Sequence, residues 1–264
     1  MIWVRPDLGA LFAGLDFAGF LALGERTVKH SPDRSRRTAA FERGGRHFYV
    51  KTHSGIGWSE IAKNWLQGKR PIVDARTEAR ALERCAALGV PTPRLAAWGV
   101  EGANPAARHS FVVSEDLAGA ERLSAHLGNG APLSFPFRHA LAERLGTLVG
   151  RLHGGGLAHQ DLYLDHVFLR EDDRGGFELF LLDLHRTLPS SPRRLRWRVK
   201  DLAALFGSAR PLGASRADAA RFLRAYAGGD FGTRERVLWR RCTRRMRMPE
   251  PVSTSGSNRR ERSG

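Results

Sequence analysis

The chain has 264 residues, of which 42% are apolar and 27% are charged, values typical of a globular protein long enough to bury a substantial core. A formal net charge of +16 favours an anionic partner, such as a membrane surface or a nucleic acid. The two cysteines, Cys85 and Cys242, are far apart in the sequence, which excludes the disulfide framework of a small secreted domain and indicates a reducing compartment.

An apolar stretch near the N-terminus, residues 10–20, has a composition similar to that of a secretory signal peptide. However, Asp16 interrupts the stretch and only Arg5 precedes it, whereas a signal peptide combines a basic start with an unbroken apolar run. We therefore expect these residues to form the first helix and strand of the folded protein.

The next predicted element is a strand that ends at a lysine. His47 to Val50 follow the turn-forming pair Gly44-Gly45 and lead directly into Lys51. Of the few lysines in the chain, Lys51 is the one that ends an apolar strand, which makes it a candidate ligand for a phosphate group. The lysines are Lys29, Lys51, Lys63, Lys69 and Lys200.

A helix is predicted over residues 74–89, where a glycine and two nearby prolines end it. Its apolar stripe includes Leu82 and Cys85, and Glu78 lies on the same inward face. Burying a carboxylate without a partner is costly, so we expect Glu78 to pair with Lys51. The alternative is that Glu78 lies at the solvated edge of the stripe and Lys51 at a surface strand end.

The most informative segment is the loop HQDLYLDH at residues 159–166. Residues 166–170 and 177–182 are predicted strands, and the residues between them form a glycine-containing turn. A hairpin of this length returns Asp183, which ends the second strand, to the vicinity of His166.

This combination of residues is typical of a phosphoryl-transfer site of the protein-kinase type. Such a site needs a carboxylate to accept the proton of the attacking hydroxyl, and Asp161 suits that role. It also needs ligands for magnesium across the phosphates, for which Asp183 and His166 are candidates. The alternative, a chance H-x-D triplet and an aspartate that only caps a strand, is weakened by the hairpin that joins the two pieces.

The remainder of the chain is predicted to be mainly helical, with helices over residues 137–153 and 217–227. Residues 232–264 contain ten arginines and three glutamates, a net charge of 10 − 3 = +7. Within them, residues 234–248 interleave apolar side chains with seven arginines, a pattern suited to lying on an anionic membrane surface. Residues 249–264 have a disordered composition.

Several of these runs together resemble the bacterial lipopolysaccharide kinase family, especially its inner-core heptose kinases. The resemblance extends from about Gly24 to Tyr226, and its most specific parts are the D-L-Y-x-x-H loop and the D-L-H-R that replaces D-F-G. The runs are Phe48 to Lys51, Glu78 to Leu82, Gly89 to Pro93, Asp161 to His166, Asp183 to Arg186, and Trp197 to Leu202.

The resemblance implies an α+β fold of the protein-kinase type, with a small antiparallel-sheet lobe and a mainly helical lobe. It also implies ATP and Mg²⁺ as cofactors and the phosphorylation of a sugar hydroxyl, heptose I, of the lipopolysaccharide inner core. The protein would be cytoplasmic and peripheral at the inner face of the inner membrane. We expect domain boundaries at 1–117 for the ATP-binding lobe, 118–248 for the catalytic lobe and 249–264 for a basic tail.

Roles for individual residues follow from the resemblance. Asp161 would be the catalytic base, and Asp201 would anchor the catalytic loop from below. The hinge that meets adenine would be residues 114–117, through the backbone of Glu115 and Leu117. The remaining implied site residues are the phosphate-binding pair Lys51 and Glu78 and the metal-side residues His166 and Asp183.

The sequence departs from the general kinase pattern at several positions. His166 stands where most kinases have asparagine, and imidazole is a poorer magnesium ligand than an oxygen. Gln160 replaces the arginine that pairs with a phosphorylated activation loop, so control by such phosphorylation is not expected. No glycine-rich G-x-G-x-x-G run precedes Lys51; residues 31–38, rich in arginine, occupy that place.

Two further classes of function stay open. One is a kinase-fold phosphotransferase acting on a small molecule, such as an aminoglycoside, or on a protein. The other is a non-catalytic relic that binds membrane or nucleic acid, although no nucleic-acid motif is present and Lys51, Glu78, Asp161 and Asp183 are all retained. The long segment 52–73, with two tryptophans, either grips an acidic glycolipid or forms a packed amphipathic helix.

Overall fold

The computed structural model describes residues 1–24, 26–30, 35–66, 71–130, 133–189, 195–229 and 232–246. The predictions for the tail at 249–264 and for the start of the arginine-rich turn, residues 31–34, lie outside these ranges, as does Lys69.

A six-stranded antiparallel sheet forms the first lobe, with the strands in the order β1-β5-β6-β4-β3-β2. Gly44 and Gly45 both have positive φ angles, and the predicted turn at this pair joins the third and fourth strands as a hairpin. The strands are β1 (Ile2–Val4), β2 (Arg26–His30), β3 (Arg36–Arg43), β4 (Arg46–Ser54), β5 (Leu95–Glu101) and β6 (His109–Glu115).

The apolar N-terminal stretch packs on the outer face of this sheet. Phe12 and Phe20 are buried there, and Phe20 stacks on Phe111 of β6 at a centroid distance of 4.5 Å. Asp16 accepts a hydrogen bond from the Gly19 N–H at 2.7 Å and so caps helix α1 (Phe17–Ala22). The predicted helix is confirmed, and the interrupting aspartate is its cap, but the first strand is β1 (Ile2–Val4), which precedes this stretch instead of lying within it.

Two helices follow β4. The first, α2 (Gly57–Leu66), is held by the buried side chain of Ile61, while its two tryptophans are exposed. The second, α3 (Arg76–Ala87), matches the helix predicted over residues 74–89, and Glu78 and Cys85 are buried on its inward face.

The second lobe is mainly helical. Helices α5 and α7 approach closely because Gly146 faces the backbone of Phe222, where a Cβ would lie 2.3 Å from the carbonyl oxygen. Its helices are α4 (Leu123–Gly128), α5 (Phe135–Gly154), α6 (Leu195–Ala209), α7 (Arg216–Tyr226) and α8 (Thr233–Met246). Its short strands are β7 (Glu121–Arg122), β8 (Leu157–Ala158), β9 (Val167–Glu171), β10 (Phe177–Leu181) and β11 (Leu188–Pro189).

The predicted α+β architecture, a small antiparallel-sheet lobe followed by a mainly helical lobe, is therefore confirmed. One apolar cluster runs through both lobes, from Val112 of β6 through Cys85 of α3 to Leu152 of α5 and Leu184. Because the cluster is continuous, the boundary near residue 117 stays a proposal.

The prediction that residues 234–248 lie on an anionic membrane surface stays a prediction for their arginines, because the structure gives several of the apolar side chains a partner within the protein. In α8, Leu238 and Cys242 are buried in the helical lobe, and Trp239 packs edge-on against Phe206 of α6. The amphipathic pattern is real, but the neighbouring helix covers its apolar side. Among the described residues, no helix is long and apolar enough to span a bilayer.

Candidate active site

Three of the predicted site residues meet at the junction of the two lobes. The Lys51 Nζ atom lies 2.6 Å from Glu78 Oε1 and 3.2 Å from Asp183 Oδ1. Lys51 projects from β4, Glu78 from the inward face of α3, and Asp183 follows the end of β10. Since these residues are far apart in the chain, the constellation depends on the packing of sheet, helix and hairpin together.

The charges in this cluster support one another. Burial opposes the ionised form of both Lys51 and Asp183, but their mutual attraction outweighs it. The Glu78 and Asp183 carboxylates raise the pKa of Lys51, and the Lys51 ammonium with the neighbouring His185 holds the pKa of Asp183 well below its usual range. Asp183 is therefore an anion at all physiological pH values, as a metal ligand must be.

Asp183 has a left-handed backbone conformation, with φ 60° and ψ 51°. This conformation is uncommon for a residue other than glycine and is typical of functional sites. It directs the carboxylate between two imidazoles: His185 Nδ1 lies 2.5 Å from Oδ1, and His166 Nε2 lies 3.6 Å from Oδ2. Sequence reasoning placed His166 here but gave no role to His185, whose only signal was its place in the D-L-H-R run.

The loop that carries Asp161 is fixed from below by Asp201 of α6. The fully buried Asp201 carboxylate accepts the N–H of His159 at 2.7 Å and the N–H of Gln160 at 2.8 Å. Gln160 has a φ of 73°, and its carbonyl oxygen accepts a hydrogen bond from Lys200. The predicted anchoring role of Asp201 is confirmed.

His166 links this loop to Asp183. Its Nδ1 atom is 2.7 Å from the Asp161 carbonyl oxygen, which can only accept, so Nδ1 carries the proton. In the neutral ring, Nε2 then presents a lone pair towards the Asp183 carboxylate. The His166 Nε2 lone pair and the Asp183 carboxylate oxygen, 3.6 Å apart, are then both able to act as ligands for a cation. The Asp183 carboxylate is the type of ligand that magnesium prefers, whereas the His166 imidazole is the poorer one of the two.

The hinge residues are also positioned by backbone contacts. The Glu115 side chain pairs with Arg5 and Arg46, and the Glu115 N–H donates to the Arg94 carbonyl oxygen at 2.9 Å. The Leu117 carbonyl oxygen accepts the Ala120 N–H at 2.9 Å. Within the described ranges, the Leu117 N–H has no hydrogen-bond partner, so it is available to a ligand.

Comparison with known proteins identifies this arrangement. Residues 20–226 match the model of the lipopolysaccharide kinase (Kdo/WaaP) family. The chain belongs to this family. The resemblance inferred from the motifs is thereby confirmed, and its range agrees with the span of residues 24–226 over which the motifs were found.

Individual relatives agree with the family assignment. The chain is 41% identical to the lipopolysaccharide core heptose(I) kinase WaaP of Pseudomonas aeruginosa over 196 residues, which cover 72% of this chain and 73% of the relative. It is 32% identical to the protein of the same name from Escherichia coli K12, over 86% of this chain and 88% of the relative. A solved structure, WaaP in complex with acyl carrier protein, is 30% identical and superimposes with a TM-score of 0.76, covering 93% of this chain and 98% of that chain.

Proposed function

We propose that this protein transfers the terminal phosphate of ATP to a hydroxyl group of heptose I in the lipopolysaccharide inner core. The observation that carries the proposal is the assembled group of Lys51, Glu78 and Asp183 beside the anchored loop of Asp161, in a chain whose relatives are named heptose(I) kinases. We place the reaction at the cytoplasmic face of the inner membrane, where ATP is available.

Asp161 is the proposed base. Within the described part of the chain, its carboxylate makes no hydrogen bond, while its carbonyl oxygen is held by His166 and by the Tyr163 N–H at 3.1 Å. The main chain is therefore fixed and the carboxylate is free to meet an acceptor. It orients the attacking sugar hydroxyl and accepts its proton as the new oxygen–phosphorus bond forms and the bond from the terminal phosphorus to the bridging oxygen breaks, releasing ADP.

ATP would be held by groups from both lobes. Lys51, positioned by Glu78, contacts the phosphates, and the Leu117 N–H with the backbone of Glu115 meets the adenine ring. Asp183 and His166 would hold Mg²⁺, which neutralises charge on the phosphates when bound. Imidazole is the weaker of the two metal ligands, so Asp183 is the principal one.

Asp161→Asn tests the proposal. The variant should bind ATP like the wild type but lose roughly 10²- to 10⁴-fold in transfer rate, the range that a general base supplies. Asp165→Asn is the matched control: it makes the same change in the same loop, at an exposed carboxylate that accepts a hydrogen bond from Ser124. The assay is radiolabel transfer from ATP to purified, dephosphorylated core oligosaccharide.

The outcomes separate the alternative functions. Equal activity of Asp161→Asn and Asp165→Asn would remove the kinase interpretation. Transfer by the wild type to an aminoglycoside or a protein, with none to core sugars, would favour a small-molecule or protein phosphotransferase. An intact ion-pair geometry is not expected of a non-catalytic relic, since nothing would maintain it.

We also propose that the protein binds an acyl carrier protein, because its solved relative was determined in such a complex. An apolar cavity of about 400 Å³ in the helical lobe suits a hydrocarbon chain, and Leu141, Leu145, Phe206 and Phe222 are among its lining residues. Co-purification of acyl carrier protein with the full-length chain would support the proposal. A cavity variant, Leu145→Gln, that still binds acyl carrier protein would show that the cavity takes no part.

A further inference from the structure

The helix α2 presents an apolar surface to solvent. Trp58, Trp65 and Leu66 are 56%, 63% and 90% exposed, while Ile61, at one edge of the same apolar stripe, is 2% exposed and anchors the helix to the protein. Trp58 and Trp65 are two turns apart and point in the same direction, and Leu66, about 100° round the helix from Trp65, extends the exposed apolar surface on the side away from Ile61. We call this group the tryptophan face.

Grouped exposed apolar side chains usually mark an interaction surface, whereas single ones need no explanation. The contrast with α8 is informative. Both helices are amphipathic, but Leu238 and Cys242 of α8 are buried under its neighbours, whereas Trp58, Trp65 and Leu66 of α2 are largely uncovered by the described residues. The tryptophan face is therefore the better candidate for an external partner.

The nature of the acceptor identifies that partner. Under the function proposed above, on which this inference rests, the acceptor sugar is attached to lipid, so the enzyme must work at a bilayer surface. Tryptophan prefers the boundary between headgroups and acyl chains. The whole chain carries a net charge of +16, which complements anionic headgroups; within α2 itself the Lys63 ammonium is paired with Glu60 at 3.3 Å.

We propose that the tryptophan face of α2 inserts into the interfacial region of the anionic bilayer that carries the lipopolysaccharide acceptor. The side chains of Trp58, Trp65 and Leu66 lie among the headgroups. This is peripheral attachment by an amphipathic helix, and it assigns to α2 the membrane contact that the sequence pattern suggested for α8.

The connection between β4 and α2 is held by backbone hydrogen bonds, so attachment of α2 to a bilayer would orient the whole sheet lobe. Helix α2 follows β4, the strand of Lys51, after a short connection. The Ser54 N–H donates to Ser35 O at 2.8 Å and the Gly55 N–H to Arg108 O at 3.0 Å. A Cβ at Gly55 would lie 2.4 Å from Ala106 O, so only glycine allows this approach. The bilayer and the phosphate-binding lysine are thus connected through a few fixed residues.

The test uses the full chain and vesicles of phosphatidylethanolamine and phosphatidylglycerol. A triple variant, Trp58→Gln, Trp65→Gln and Leu66→Gln, should bind vesicles about tenfold more weakly than the wild type. The conservative variant Trp58→Phe with Trp65→Phe should retain most of the binding. Phe135→Gln, which removes an exposed aromatic side chain from the helical lobe, is the matched control and should bind normally.

Two further readouts locate the effect. Brominated lipids should quench the tryptophan fluorescence of the wild type but not that of the double phenylalanine variant. The triple variant should phosphorylate a soluble, delipidated core as fast as the wild type, yet be about tenfold slower on lipopolysaccharide in vesicles. Vesicle binding is measured without ATP or acceptor, so it decides this inference whether or not the kinase function holds.

Specific results would overturn the inference. Vesicle binding by the triple variant equal to that of the wild type would do so, as would absence of quenching in the wild type. An equal loss of activity on soluble and vesicle-bound acceptors would assign the face to the glycan. A wild-type dimer that the triple variant does not form, or loss of acyl carrier protein binding, would assign it to a protein partner.

Discussion

Replacing Asp201 by asparagine tests whether the catalytic loop depends on its buried anchor. Asp201 accepts two backbone N–H groups with different oxygens, Oδ2 from His159 and Oδ1 from Gln160. The asparagine side chain keeps one acceptor oxygen for one of these two N–H groups. Its NH₂ group would face the other N–H, which would then lose its acceptor. An orphaned buried donor costs about 1–3 kcal/mol, so we expect the free energy of unfolding to fall by about 2 kcal/mol.

A loss of this size should lower Tm by about 4–8 °C in a protein of this length. The larger effect should be on catalysis, because a displacement of about 1 Å at Asp161 can cost about 10²-fold in rate. The KM for ATP should change little, since Lys51 and Asp183 are held by other elements. The measurements are urea denaturation followed by circular dichroism and steady-state kinetics with a soluble core acceptor.

Asp218→Asn is the matched control. Asp218 lies in the first turn of α7, where its Oδ2 atom accepts the Ser215 N–H at 2.9 Å and pairs with Arg138. Removing its charge should cost about 1 kcal/mol of stability, as for other helix caps, without changing kcat. If Asp201→Asn destabilises the protein but keeps kcat within about twofold of the wild type, far from the effect of misplacement, the anchoring argument is refuted.

Three further outcomes are expected. Lys51→Ala and Glu78→Ala should each lower kcat/KM, but their losses should not add in the double variant, because the two side chains act as a unit; additive losses would disprove the pairing. Asp183→Asn should abolish transfer in magnesium and manganese titrations, and full activity at saturating magnesium would exclude it as principal metal ligand. Burial, with the charges of Arg36 and Lys51, lowers the pKa of His53 to about 3. The unfolded chain, with a histidine pKa of about 6.5, then binds one proton more than the folded chain, so the free energy of unfolding should fall by roughly 1 kcal/mol per pH unit as the pH falls from about 6.5 towards about 3. His53→Gln should flatten this dependence of Tm on pH; an unchanged slope would show that His53 does not cause it.

The elements that carry the site could be predicted because local signals and chemistry agreed. The helical spacing around Glu78 and the hairpin before Asp183 are both short-range patterns in the sequence. Each pattern predicted a buried carboxylate, and because burying an unpaired charge is costly, each also predicted a charged partner. The structure brings Lys51, Glu78 and Asp183 together as that reasoning expected.

Other features depend on long-range packing, which a sequence pattern does not specify. The apolar stripe of α8 was recognised correctly, but the pattern could not tell a lipid surface from helix α6, which covers it. The hydrogen bond from His185 to Asp183 depends on a left-handed backbone at a non-glycine residue, which no local signal announces. The segment 52–73 left two interpretations open for the same reason, and the exposure of Trp58 and Trp65 favours an external contact.

The apolar cluster that passes from Val112 through Cys85 to Leu152 belongs to both lobes, so we expect the two lobes to unfold together. A ligand that binds the native state alone raises the free energy of unfolding of every segment that unfolds with its site. ATP bound near Lys51 would therefore protect distant helices from denaturation and proteolysis. By the same linkage, a substitution that loosens the helical lobe would weaken the apparent affinity for ATP without touching the nucleotide.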